Sequence, residues 1–295
     1  MRRTNVPNPS IRPPNGGVLI GILLATALLY GWPHQAESAD RAAADSYGGR
    51  TMLVHVPTRL PPAGARALVV VLHGGLGNAQ RIESQQSESG LNMDVVADQY
   101  GFVVAYLNGT PVTRRLGADM LGWNAGGGCC GLSAENNVDD VDYIQKAVGY
   151  LAGKYGIDHS RVYGIGHSNG AMMTQRLLCE TTLYAAGVAI SGPLNLDIES
   201  CPGARGTHVL ALHGTNDDNV PIAGGRGTKG LSNAVYNSED RSRRVFERSG
   251  ANYTLQVVQG ADHKLDDINA AIRNIEGQTV AQKAARFFGL ATSSP

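Results

Sequence analysis

Three patterns predict an α/β fold with a mostly parallel central sheet and helices on both faces. Apolar, β-rich runs alternate with helix-forming runs from about residue 51 onward. One such run turns into a helix through Gly166-His167-Ser168-Asn169-Gly170. An acidic loop and a histidine-bearing loop each follow a later strand-like run. Strands that alternate with helices cannot pair as hairpins and are joined by crossovers, which makes the sheet parallel.

In chain order, residues 1–38 come first. Arg2, Arg3 and Arg12 precede an uncharged stretch, 16–32, and small residues follow at Ala36 and Ser38. A basic start, an apolar middle and a small-residue end predict a secretory signal, cleaved between 36 and 44, with a membrane anchor as the alternative. Residues 39–295 then form one catalytic domain of a size suited to a single α/β core.

Strands are expected over 51–56, 68–72, 102–107, 162–165, 187–190, 208–213 and 253–258. Helices are expected over 91–100, 138–155, 171–179, 233–249 and 279–288. In the second helix Val141, Ile144, Val148, Leu151 and Tyr155 share one face, as packing on a sheet requires. The glycine-rich segment 108–136 is too long for a simple connection and is expected to build a substrate cleft. Within it Trp123 either walls that cleft with its flat apolar face or packs the loop. The loop 223–232 reads as a lid or a plain excursion.

The pentapeptide at 166–170 carries the chemistry. With 38 glycines in the chain, a G-x-S-x-G match by itself has a bland reading as a glycine-rich turn. Its setting favours a nucleophile elbow, because an apolar strand precedes Ser168 and a helix former with Met172, Met173, Leu177 and Leu178 follows it. A serine hydroxyl is a poor nucleophile unless a base takes its proton and an acid orients that base.

In α/β-hydrolases these partners follow in the order acid, then histidine. The loop after 208–213 contains H-G-x-x-D-x-x-V-P, which selects Asp217 over its neighbour Asp218. Of eight histidines, His263 alone lies downstream of Asp217, and it follows the next strand-like run. Oxyanion donors are expected from the backbone of Gly75 or Leu76, in the His73-Gly74-Gly75-Leu76-Gly77 turn, together with Asn169.

Four cysteines in an exported chain favour disulfides over thiol chemistry. Cys179 and Cys201 flank one strand and are plausible partners, while Cys129 and Cys130 are adjacent and either bridge or stay reduced. No metal-ligand spacing accompanies them, so no metal and no cofactor are expected. Lysine plus arginine and aspartate plus glutamate number 25 each. Without residues 1–38 the balance is 22 against 24, a formal charge of −2. Such a surface does not track a phosphate backbone, so no nucleic-acid partner is expected, nor stable membrane insertion after processing. The expected partner is a small or polymeric ester, and oligomeric state is left open.

Several segments also carry a resemblance. R-T-M-L-V-H-V-P at 50–57, L-V-V-V-L-H-G-G, G-W-N-A-G-G-G-C-C-G at 122–131, V-D-D-V at 138–141 and R-V-Y-G-I-G-H-S-N-G resemble the secreted polyhydroxybutyrate depolymerase and feruloyl esterase-like family. The resemblance spans about residues 48–290. It implies an α/β-hydrolase fold, Ser168, Asp217 and His263 as triad, and esters of hydroxyalkanoic or hydroxycinnamic acids as substrates. Acetylated polysaccharide esterase, acyltransferase and peptidase activity are the alternatives on this scaffold. The chain departs from the family where Lys264-Leu265 stands in place of an aromatic residue and proline, and in an insertion around 111–120.

Overall fold

A computed structural model describes residues 42–84, 86–88, 90–114, 119–229 and 234–291. All of these lie in one compact unit, Ala39–Pro295. The leader expected over 1–38 lies outside the described residues.

Eight strands form the main sheet: β1 (Ala43–Tyr47), β2 (Arg50–His55), β3 (Arg66–Leu72), β4 (Val103–Leu107), β5 (Ile157–His167), β6 (Ala186–Ile190), β7 (His208–Gly214) and β8 (Asn252–Val258). Their spatial order is β1-β2-β4-β3-β5-β6-β7-β8. The β1–β2 and β2–β4 pairs are antiparallel, and all later pairs are parallel. Parallel neighbours require crossovers, and the helices that make them cover both faces of the sheet.

The chain alternates strictly between two cores. Leu68, Val70 and Leu72 of β3 point to one face, where they meet α3 (Asp140–Tyr155), α4 (Asn169–Glu180) and α5 (Glu239–Arg248). Ala67, Val69 and Val71 point to the other. There they meet α1 (Ala79–Glu83), α2 (Met93–Tyr100), α6 (Leu265–Glu276) and α7 (Val280–Phe287). A strand buried on both sides must be apolar at every position, which is why 67–72 contains no polar residue.

Several elements differ from expectation. The strand at 162–165 runs from Ile157 to His167, long enough to carry the elbow to the sheet edge. The helix expected over 233–249 begins only at Glu239, because Val235–Tyr236 pairs with Gly225–Arg226 and Ser238 caps the helix by accepting from Arg241 N–H. That pairing also gives the 223–232 loop a short ladder within its described part. Strand β1 and helix α6 were not anticipated. A Gly48-Gly49 hairpin, with φ of 58° and 78°, joins β1 to β2. Such two-residue turns require left-handed backbone at both positions, where glycine is unstrained.

Cys179 at the end of α4 is bonded to Cys201 in the loop after β6, with the Cα atoms 4.3 Å apart. Cys129 and Cys130 are also joined to each other.

Candidate active site

Ser168 sits between β5 and α4 with φ 54° and ψ −121°, a conformation that costs a non-glycine residue on the order of 1–3 kcal/mol. The surroundings leave it no alternative. The Ser168 N–H is held by Ile190 O at 2.8 Å, and Ser168 O accepts from Met172 N–H at 3.0 Å as α4 begins. A Cβ on Gly166 would strike the carbonyl of Gly170, and a Cβ on Gly170 would strike the carbonyl of Leu72. Both flanking glycines are therefore demanded by the close approach of β3, β5 and α4.

The side chain of Ser168 stands 2.8 Å from His263 Nε2, and His263 Nδ1 stands 2.7 Å from Asp217 Oδ2. The loops that bring the last two together are stitched to one another. Thr215 N–H donates to Val258 O, Asn216 N–H to Ala261 O, and Gly260 N–H to Thr215 Oγ1. Asp217 is buried, and its Oδ1 accepts from the N–H groups of Asn219 and Val220 at 2.9 and 2.8 Å. Burial alone would raise its pKa, but hydrogen bonds from His213, His263 and Val220 N–H hold the carboxyl well below its ordinary value. It is thus a fixed anion against the imidazole. Asp218, the rejected neighbour, is exposed and pairs with Lys229 at 2.8 Å.

The expected oxyanion residues converge on the same place. Gly75, Leu76 and Asn169 line one cleft of about 550 Å³ together with Ser168 and His263. The turn that carries the first two is closed by Gly77 N–H donating to Gly74 O at 3.0 Å. Leu76 is held at φ 64°, a left-handed conformation unusual for a branched side chain. His73 stabilises this turn from below. Burial pushes its pKa down to about 4, so the ring is neutral. Its Nδ1 then donates to Gly74 O at 2.8 Å while Nε2 accepts from Gly109 N–H at 3.1 Å.

Trp123 requires a correction. It is fully buried and is not among the residues that line the cleft. Its indole N–H donates to His73 O at 3.0 Å, and its ring packs at a tilt on the His73 ring, 5.1 Å between centroids. Buried indoles seek a hydrogen-bond acceptor. The acceptor here belongs to the residue that opens the Gly74–Gly77 turn, so Trp123 buttresses that turn and walls no part of the cleft.

Four contributions escaped sequence reasoning. His167 Nε2 lies 2.8 Å from His263 O, and burial lowers the pKa of His167 to about 4, so the neutral ring donates to the backbone of the candidate base. Asn169 Oδ1 accepts from Trp123 N–H at 2.7 Å and Asn169 Nδ2 donates to Trp123 O at 3.0 Å. His213 and Glu239 form a buried pair behind Asp217, 2.8 Å apart. The signal for His213 was present in H-G-x-x-D; Glu239 has no local signature. No cluster able to hold a metal occurs among the described residues, and no helix among them is long and apolar enough to cross a membrane.

The strand order, with a serine elbow after the fifth strand and candidate acid and histidine loops after the seventh and eighth, defines an α/β-hydrolase. More narrowly, the chain belongs to the phospholipase/carboxylesterase family, whose model matches residues 59–267. It is 35% identical over 146 residues to feruloyl esterase B of Neurospora crassa, covering 48% of this chain and 43% of that protein. It is 32% identical over 167 residues to the poly(3-hydroxybutyrate) depolymerase of Ralstonia pickettii, covering 55% and 33%. The chain spans about half or less of the length of the curated relatives it matches first. Among solved structures, propionate-bound esterase 2 of Thermogutta terrifontis superposes with a TM-score of 0.56 at 16% identity, covering 87% of this chain and 98% of that one. The Bacillus cereus carboxylesterase gives 0.54 at 16%, covering 83% and 96%. At those identities the likeness concerns the fold alone.

Proposed function

We propose that this chain is a serine esterase that cleaves carboxylic esters through an acyl-enzyme, with Ser168 as nucleophile, His263 as general base and acid, and Asp217 as the orienting anion. One observation carries the reading: an unbroken hydrogen-bonded line from hydroxyl to imidazole to carboxylate, 2.8 and 2.7 Å, opening on a cleft. Ser168 Oγ attacks the carbonyl carbon as His263 Nε2 takes its proton. Negative charge on the former carbonyl oxygen is met by the backbone N–H of Asn169 and that of Gly75 or Leu76, with the positive end of α4 adding to the field. The proton on His263 then passes to the leaving alcohol. Water, activated by the same imidazole, releases the acid and restores Ser168.

Hydroxyalkanoate polyesters and oligomers or feruloyl-type esters are the proposed substrates. The names of the relatives from Ralstonia and Neurospora support this, as does a cleft wall of Leu76, Ile82, Val112, Met172, Val220 and Tyr236. An acetylxylan esterase A of Aspergillus ficuum, 29% identical over 187 residues, favours acetylated polysaccharide as the second reading. Export is proposed as well, on the basic and apolar start of the chain and on its disulfides.

Ser168→Ala should abolish hydrolysis of a short-chain nitrophenyl ester and labelling by a fluorophosphonate while circular dichroism is unchanged. Retained turnover removes Ser168 from the mechanism. Product release across hydroxybutyrate oligomers, feruloylated sugars, acetylated xylan and a synthetic polyester then ranks the substrate classes.

A further inference from the structure

Behind Asp217 lies a second histidine that the proposed mechanism leaves unused. His213, on β7, is completely buried, as are the side chains of Asp217 and Glu239. Its Nδ1 faces Glu239 Oε1 at 2.8 Å. Its Nε2 faces Val220 O at 2.8 Å and Asp217 Oδ2 at 3.2 Å. Every neighbour of the ring nitrogens is therefore an oxygen acceptor. With Glu239 and Asp217 ionised, a neutral imidazole would press its bare nitrogen's lone pair against an oxygen lone pair in a site closed to water. Only the imidazolium donates from both sides.

The surrounding elements are arranged for such a cation. Glu239 comes from the first turn of α5, and its second oxygen accepts from Tyr253 OH of β8 at 2.6 Å. Asp217 comes from the loop after β7 and shares Oδ2 between His213 and His263. His167 and His263 are the remaining titratable groups nearby, with His263 beyond Asp217 and His167 in contact with the His263 backbone.

We infer that His213 is a charged positioning residue which, with Glu239 as counter-ion, fixes the orientation of Asp217 and sets the pH dependence of ester cleavage. This rests on the proposed roles of Ser168, Asp217 and His263. Burial works against the charge, yet hydrogen bonds to Asp217 and Glu239 and the charges of both hold His213 up to about 10. The electrostatic consequence has a definite sign. A cation behind Asp217 offsets part of the negative potential that Asp217 projects into the site; Glu239 pulls the other way from a greater remove. The two buried groups thus oppose each other in setting the pH profile.

The test uses the pH dependence of kcat/KM for a nitrophenyl ester. His213→Gln should lower kcat at least tenfold with little change in KM, and should move the ascending limb to higher pH by on the order of one unit. Glu239→Gln should move that limb to lower pH, and Glu239→Asp should return it toward the wild-type position. A residue that merely filled space would give no opposed shifts. Should His213→Gln fail to fold, 15N spectra of histidine-labelled wild-type protein at pH 8 decide the matter, with the His213 signal assigned by its displacement in Glu239→Gln. Two protonated nitrogens are expected. A neutral His213 at pH 8, or limbs that stay put or move together in the two variants, overturns the inference. Hydrolysis that survives Ser168→Ala would overturn the esterase reading instead, while leaving the spectral result intact.

Discussion

Asn169 carries two loads at once. Its place at the start of α4 makes its backbone N–H a candidate oxyanion donor, while its side chain satisfies both backbone groups of Trp123. Removing that amide leaves a buried donor and a buried acceptor unpaired, at about 1–3 kcal/mol each. Asn169→Ala should therefore lower the thermal midpoint and shift Trp123 fluorescence to the red, with activity falling in step; an unchanged emission maximum would show that the loop stands without this clamp. At this scale legibility depended on whether a residue's role was written locally. Ser168 could be picked out because its strained backbone needs glycines at fixed offsets, and His263 because chain order left no other histidine. Trp123 stayed between two readings because an indole in a glycine-rich loop looks the same whether it faces a ligand or a carbonyl beneath. Glu239 was unreadable because its partner is brought to it only by tertiary folding.

Among the elements, the apolar strands 67–72 and 102–107 were legible because double-sided burial forbids polar residues, and the same reason explains the β5 core. Helix α6 was not, although Leu265, Ile268 and Ile272 recur at helical spacing. Its start is masked by Asp266 and Asp267, which read as loop and instead favour the positive end of the helix. The disulfide that ties the end of α4 to the loop after β6 closes a segment of 22 positions. A loop of that length is worth roughly 3 kcal/mol through the entropy it removes from the unfolded chain. The double variant Cys179→Ala/Cys201→Ala should lose about that much in urea titrations. Its activity under stabilising conditions should persist, since neither sulfur lines the cleft; lost turnover with unchanged stability would contradict this division.

For the molecule as a whole, the buried charges behind Asp217 link stability to pH from two directions. His213 has a folded value near 10 against an ordinary 6.5, so its stabilising contribution is complete below about 6.5 and is gone once pH passes about 10. Asp217 is displaced downward, so its contribution is present above the ordinary value of 3.8 and is lost as acid overtakes the lowered one. Thermal midpoints should accordingly decline between pH 7 and 10 in the wild type and decline less in Glu239→Gln, as followed by calorimetry. Equal slopes in the two proteins would remove His213 as the source.

Strand β8, which delivers His263, hydrogen-bonds to β7 alone and forms one margin of the sheet, whereas β5 and Ser168 lie near its middle. Margins open before interiors when a protein is stressed. Mild urea or warmth should therefore detach the imidazole first and extinguish turnover while Trp123, anchored beside β3 and β5, still reports an intact interior. The proposed activity would fall silent before the protein melts, and a cross-link pinning the last strand to its neighbour would extend working lifetime more than any strengthening of the centre.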